Sequence, residues 1–331
     1  MAQMVRRRFL TLPHEPTPLP DQAGISGRRH LFEQEVIDAL NAALATCRPL
    51  LVRGEPGTGK TQLAEAAAIE LDRPLLSTVV DSRTESRDLM YTYDAVARLG
   101  EAQLCAAMKS DDREQIDERL AVKRFVHPGP LWWAFHWKKA QEQADWVKDK
   151  TPAFPKGWDP EANAGCVVLL DEIDKAETDV PNGLLEALGA GKFRPPGVVE
   201  DVAVAGVPPL VIITTNEERA LPDPFVRRCV VLWLELPAES QALQSWLVER
   251  GRAHLDTSRA TQRVLERAAE IIAKDRSDAQ DKRQTPLPGQ AEYLDLVRAV
   301  VEQHPDDEAS QFATLEKARL YVVQKHRGVR S

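Results

Sequence analysis

Residues 54–61 read Gly54-Glu55-Pro56-Gly57-Thr58-Gly59-Lys60-Thr61. The apolar run Leu50–Gly54 leads into them and the helix-forming stretch Thr61–Leu71 follows. A glycine-rich turn between a strand and a helix offers backbone N–H groups that wrap the β- and γ-phosphates, and the helix N-terminus adds its positive dipole end. Lys60 brings a charge to the β- and γ-oxygens, the Thr61 hydroxyl can ligate Mg²⁺, and Gln62 stands at the head of the helix. Gly54 through Gln62 are therefore expected to grip ATP.

Working outward, four more apolar runs have strand character: Pro74–Val80, Cys166–Glu172, Pro209–Asn216 and Cys229–Leu236. Runs this continuously apolar suit a mostly parallel sheet buried on both faces. Helix candidates lie between them, including Asn182–Ala190, and upstream Val36, Leu40, Ala43 and Leu44 recur at helical spacing. The fold class this implies is an α/β sandwich with helices on both faces of the sheet. After Leu236 the pattern turns helical, with stretches at Ala238–Arg250, Thr261–Lys274, Ala291–Glu302 and Asp306–Lys325 and breaks at Ser277–Gln290 and His304–Pro305. The expected organisation is an N-terminal arm over 1–24, a nucleotide-binding α/β core over 25–236 and a small helical domain over 237–331. The core carries an insertion at about residues 81–165, which includes the aromatic run Leu131-Trp132-Trp133-Ala134-Phe135-His136-Trp137. Trp133 and Trp137 would share one helical face with Ala140 and Ala144, a pattern that suits core packing.

Three further signals carry chemistry. The run Cys166–Glu172 ends in adjacent carboxylates, of which Asp171 would hold magnesium and Glu172 would orient and deprotonate the attacking water. The run Pro209–Asn216 ends in Asn216, a neutral residue able to hydrogen-bond the γ-phosphate or that water. Arg227 and Arg228 precede the last strand, where an arginine could reach the γ-phosphate held by a neighbouring subunit and stabilise the charge of the transition state.

Composition narrows the classes of function. The 331 residues are 43% hydrophobic and 28% charged, ordinary globular values. A formal net charge of -8 argues against a protein that coats nucleic acid. Cys47, Cys105, Cys166 and Cys229 stand far apart without metal-ligand spacing, as expected of reduced thiols in a cytoplasmic protein. Cys166 and Cys229 open apolar runs and are expected to pack as small hydrophobes. No stretch reaches the roughly 20 apolar residues of a membrane span, and the arginine- and proline-rich start lacks a signal-peptide core, so export by that route is not expected.

The phosphate loop, the acidic pair, the strand-terminal asparagine and the paired arginines, in this order before a helical tail, resemble the AAA+ ATPase superfamily and within it the MoxR-like branch. The branch is suggested by Phe125-Val126-His127-Pro128-Gly129-Pro130-Leu131 and by Asp88-Leu89-Met90 in the insertion. The resemblance implies a sheet order of 5-1-4-3-2 and a ring, usually a hexamer, with Mg-ATP hydrolysed between subunits. It also implies remodelling or activation of a protein partner, such as a von Willebrand A domain protein. It places Gly24-Ile25-Ser26-Gly27-Arg28 by the adenine, hence Ile25 among the nucleotide-binding residues. The resemblance also implies an arginine at the start of a lid helix; here the stretch Thr285–Tyr293 has none. Arg283 is the substitute expected from the sequence, with Arg194 as another candidate. The alternative function is the NTPase component of a DNA- or RNA-acting motor, or of a restriction or defence system.

Overall fold

In the computed structural model, which describes residues 9–21, 26–108, 113–162, 164–255 and 259–323, the five apolar runs become five strands of one sheet. They are β1 (Leu50–Gly54), β2 (Leu75–Val79), β3 (Val167–Asp171), β4 (Leu210–Thr215) and β5 (Val230–Leu234). Their spatial order is β5-β1-β4-β3-β2, the 5-1-4-3-2 order. β3 runs parallel to both neighbours, with Val167 opposite Leu210 and Leu75, and Leu170 opposite Ile213 and Thr78. Every residue of β4 and the first four of β3 are buried, so side chains on both faces are covered and alternation disappears.

The helices that bear on the site are α1 (Gln34–Thr46), α2 (Lys60–Glu70), α3 (Pro130–Phe135), α4 (Trp137–Val147), α5 (Asp179–Ala190), α6 (Ser240–His254), α7 (Gln262–Asp281), α8 (Gln290–Gln303) and α9 (Glu308–Val322). In α1 the expected stripe of Val36, Leu40, Ala43 and Leu44 is buried.

Two units pack separately. One comprises the described residues within Met1–Leu10, Asp38–Val52 and Ala67–Leu232. Its core joins sheet residues such as Leu51, Val168, Leu170 and Ile213 to the aromatic insertion, where Trp132, Trp133, Phe135, Trp137 and Trp158 are all buried. The other comprises those within Thr11–Ile37, Arg53–Ala66 and Trp233–Ser331. Its core is helical, built from α6 to α9 around Leu247, Val264, Ile272, Tyr293, Val297 and Leu315.

Two sequence expectations change. The aromatic run forms two helices rather than one: His136 adopts an extended φ of -151° and its Nδ1 accepts from the Lys139 N–H, capping α4. Trp133 and Trp137 still meet, edge to face at 5.0 Å, across that break. The expected break at Ser277 moves to Lys282, because Arg276 and Ala279 are buried and keep the charged end of α7 helical through Asp281.

Candidate active site

The phosphate loop takes its shape from glycine. Gly57 and Gly59 have φ of 79° and 90°, where L side chains are strained. Gly54 has φ 152°, and a Cβ there would lie 2.5 Å from the Leu234 carbonyl oxygen, so β1 can approach β5 only without a side chain at this point. Thr58 Oγ1 donates to the Glu55 carbonyl at 2.9 Å and tightens the turn. Lys60 is 7% exposed, and its Nζ donates to the carbonyl oxygens of Gly54 at 2.7 Å and Glu55 at 2.9 Å. The lysine charge is thus already held over the loop. Thr61 and Gln62 occupy the first turn of α2, with Thr61 exposed, as is Pro56.

A residue not singled out from the sequence joins this loop. Arg276, on α7 and 8% exposed, grips the Glu55 carboxylate with both guanidinium ends, Nη1 to Oε2 at 2.8 Å and Nη2 to Oε1 at 2.9 Å. Its Nη1 also donates to the Pro288 carbonyl at 3.1 Å. Such forked pairs fix geometry as well as charge. Arg283 instead sits exposed in a left-handed turn after α7, with φ 52° and no side-chain hydrogen bond or ion pair among the described residues. Arg194 pairs with Asp201 at 2.6 Å. Ile25 lies outside the described residues.

The acidic pair ends β3. Thr214, on the neighbouring β4, donates its hydroxyl to Asp171 Oδ1 at 2.5 Å and accepts the Glu172 N–H at 2.9 Å, so the parallel register sets the direction of both acids. Glu172 adopts φ 62°, ψ 47°, a left-handed conformation that costs a non-glycine residue about 1–2 kcal/mol. That turn brings Lys175 round, and its Nζ lies 2.6 Å from Glu172 Oε2, a bond that raises the lysine's affinity for its proton. Asn216 Nδ2 donates to Glu172 Oε1 at 3.3 Å. Asp174 is 2% exposed and receives the backbone N–H groups of Asn216 at 3.4 Å and Glu218 at 2.9 Å. It was legible only as a third acid shortly after the pair; its work as a clamp on the end of β4 was not.

Arg227 and Arg228 follow the short helix Asp223–Val226 and precede β5. Arg48 donates to both of their backbone carbonyls, to Arg228 at 2.9 Å. Both side chains are exposed and make no ion pair among the described residues.

The sequence profile of the AAA domain (dynein-related subfamily) matches residues 49–250, well over half of the chain. The chain belongs to this AAA family. It is a P-loop ATPase, an ATP hydrolase whose α/β fold is followed by a helical C-terminal region. Two Thermotoga maritima RuvB structures are similar to this AAA protein. The Holliday junction branch migration motor has 16% identity and TM-score 0.42 over 88% of this chain and 71% of its own. A RuvB mutant has 16% identity and TM-score 0.43 over 87% and 70%. A candidate ATPase from Cytophaga hutchinsonii has 14% identity and TM-score 0.38 over 81% and 68%. No curated protein is a significant match. Among the described residues no helix is long and apolar enough to cross a membrane.

The side chains of this AAA protein suit Mg²⁺ with a nucleotide. Among the described residues no group of three or more His, Cys, Asp or Glu could hold a metal by itself. Mg²⁺ needs no such group, because it is commonly held by one or two protein oxygens, water and the phosphates of its substrate. The Thr61 hydroxyl in the first turn of α2 and the Asp171 carboxylate at the end of β3 are each an oxygen donor of that kind.

Proposed function

We propose that the chain hydrolyses Mg-ATP at the interfaces of a ring, in the manner of MoxR-like proteins, and uses the cycle to remodel or activate a protein partner. The observation that carries the assembly is the pair Arg227 and Arg228, two exposed cations without ion-pair partners among the described residues. Lys60 and Glu172 are by contrast engaged within their own chain. An exposed arginine pair beside a strand end suits an anion supplied by another copy.

The residues then divide the reaction. The backbone N–H groups of Gly57 to Lys60 and the start of α2 hold the β- and γ-phosphates, and Lys60 Nζ leaves its two carbonyls for phosphate oxygens. Thr61 and Asp171 would hold Mg²⁺, which when bound neutralises charge on the β- and γ-oxygens. Glu172 takes the proton of the attacking water as its oxygen bonds to the γ-phosphorus. The bond from that phosphorus to the bridging oxygen breaks, and the electron pair leaves with ADP. Asn216 orients the water or a γ-oxygen, and an arginine of the neighbouring copy meets the spreading negative charge.

Mixed-subunit ATPase assays test this reading. Lys60→Ala and Arg227→Ala/Arg228→Ala chains should each lose activity, by about 1000-fold for the arginines. Mixing them should restore turnover, because each supplies what the other lacks. No recovery at any ratio overturns hydrolysis across an interface, and strong stimulation by DNA overturns the protein-partner role.

A further inference from the structure

A cavity of about 520 Å³ opens in the helical unit, beside Ser26 and Gly27 of the segment expected by the adenine, and no residue of the phosphate loop, the acidic pair or the Arg227/Arg228 pair lines it. Its wall includes Arg29, Arg252, Arg259 and Arg298, with Glu302 as the one acid among the described residues that line it. Arg29 comes from the two-residue strand Arg29–His30, Arg252 from the last turn of α6, Arg298 and Glu302 from α8, and Arg259 from the segment before α7. Glu302 is committed to Arg259, to which both its oxygens bond at 3.1 and 3.3 Å. Among the described residues the Arg252 side chain donates to the neutral amide of Gln262, at 2.9 Å, and makes no ion pair. Arg298 has Asp295 at a loose 3.5 Å, and Arg29 has no ion pair among the described residues. The C-terminus of α6 contributes about half a negative charge, too little to balance what remains. Among the described residues, a chain whose net charge is -8 thus gathers an excess of positive charge in one concavity.

We infer that this cavity binds a small organic phosphate carrying two or more negative charges. Arginine forks match phosphate oxygens in pairs, and cavities of roughly 300–1,000 Å³ suit small ligands rather than extended chains. His254 lines the same cavity, 9% exposed and with no hydrogen-bond partner among the described residues. Burial first, then Arg298, Arg250, Arg28 and Arg29, lower its affinity for a proton to a pKa of about 4. Arg250 is tied to Glu33 and Arg28 to Glu65, so the groups able to turn toward a ligand are those on the cavity wall. The imidazole therefore stays neutral at pH 7 and reports on the cavity, because an anion bound there favours its charged form and must raise its pKa.

Pyrophosphate is the probe, and the full chain carrying Lys60→Ala removes the loop's main phosphate ligand. Calorimetry should find one pyrophosphate bound per Lys60→Ala chain, weakened about tenfold or more when Arg29→Gln and Arg298→Gln are added. The NMR titration of His254 in the Lys60→Ala chain should move upward with pyrophosphate. That measurement stands without the arginine variants, should those fail to fold. An unmoved His254 overturns the inference, as does affinity that survives both arginine changes in a folded chain. Binding of uncharged adenosine or of a hexaglutamate peptide in place of pyrophosphate also overturns it, by assigning the cavity to a base or to an acidic segment.

Discussion

In the phosphate loop the partners that shape the turn are near neighbours in sequence. Lys60 reaches back six positions to Gly54 and five to Glu55, and Thr58 reaches back three. At the acidic strand end the partners are remote: Thr214 lies 43 positions from Asp171, and Asn216 lies 44 from Glu172. Apart from the Arg276 fork on Glu55 and the close approach of Leu234 to Gly54, the loop is thus a property of one short segment with a strand before it and a helix after it. The strand end is a property of the register between β3 and β4. A local arrangement tolerates distant changes, whereas a register-dependent one fails when either strand end shifts.

Three changes separate these regions, in order of expected effect. Glu172→Gln leaves the loop intact and removes the base, so ATP should bind with near-native affinity while hydrolysis falls by about 100-fold or more. Equal losses of binding and turnover would mean that the two regions are not independent. Asp174→Ala attacks the register itself by leaving the backbone N–H groups of Asn216 and Glu218 without their acceptor. It should cost about 1–3 kcal/mol in thermal unfolding and lower kcat by more than it raises KM. Arg276→Ala tests the loop's long-range tie, to Glu55 at a separation of 221 positions. Glu55 keeps access to solvent, so KM for ATP should rise several-fold, about tenfold at most, with kcat little changed and Glu55→Gln giving the same shift.

This contrast also explains what could be read from sequence. The five strands and the loop were legible because apolar runs and glycine spacing are local signals, and the strand order followed once family resemblance supplied the topology. The identity of the acids at the end of β3 was equally plain. Nothing local indicated that Glu172 turns left-handed, that Asp174 clamps the next strand, or that Arg276 holds Glu55, since each depends on chain far away or on a backbone state that glutamate rarely adopts. The helix break at His136 was hidden inside an aromatic run whose packing partners agree with either one helix or two. Two-residue strands such as Lys192–Phe193 and Val202–Ala203 are too short to give any alternation.

The four cysteines divide in a way that bears on how this chain meets electrophiles. Cys105, Cys166 and Cys229 are buried, and only Cys47, just beyond α1, is exposed. Burial pushes the thiols of Cys166 and Cys229 up to about 12, so near neutrality almost none of either is the reactive thiolate. Alkylation of the native chain is therefore confined to one position on its surface, and each further thiol that becomes reactive counts a part of the core that has opened.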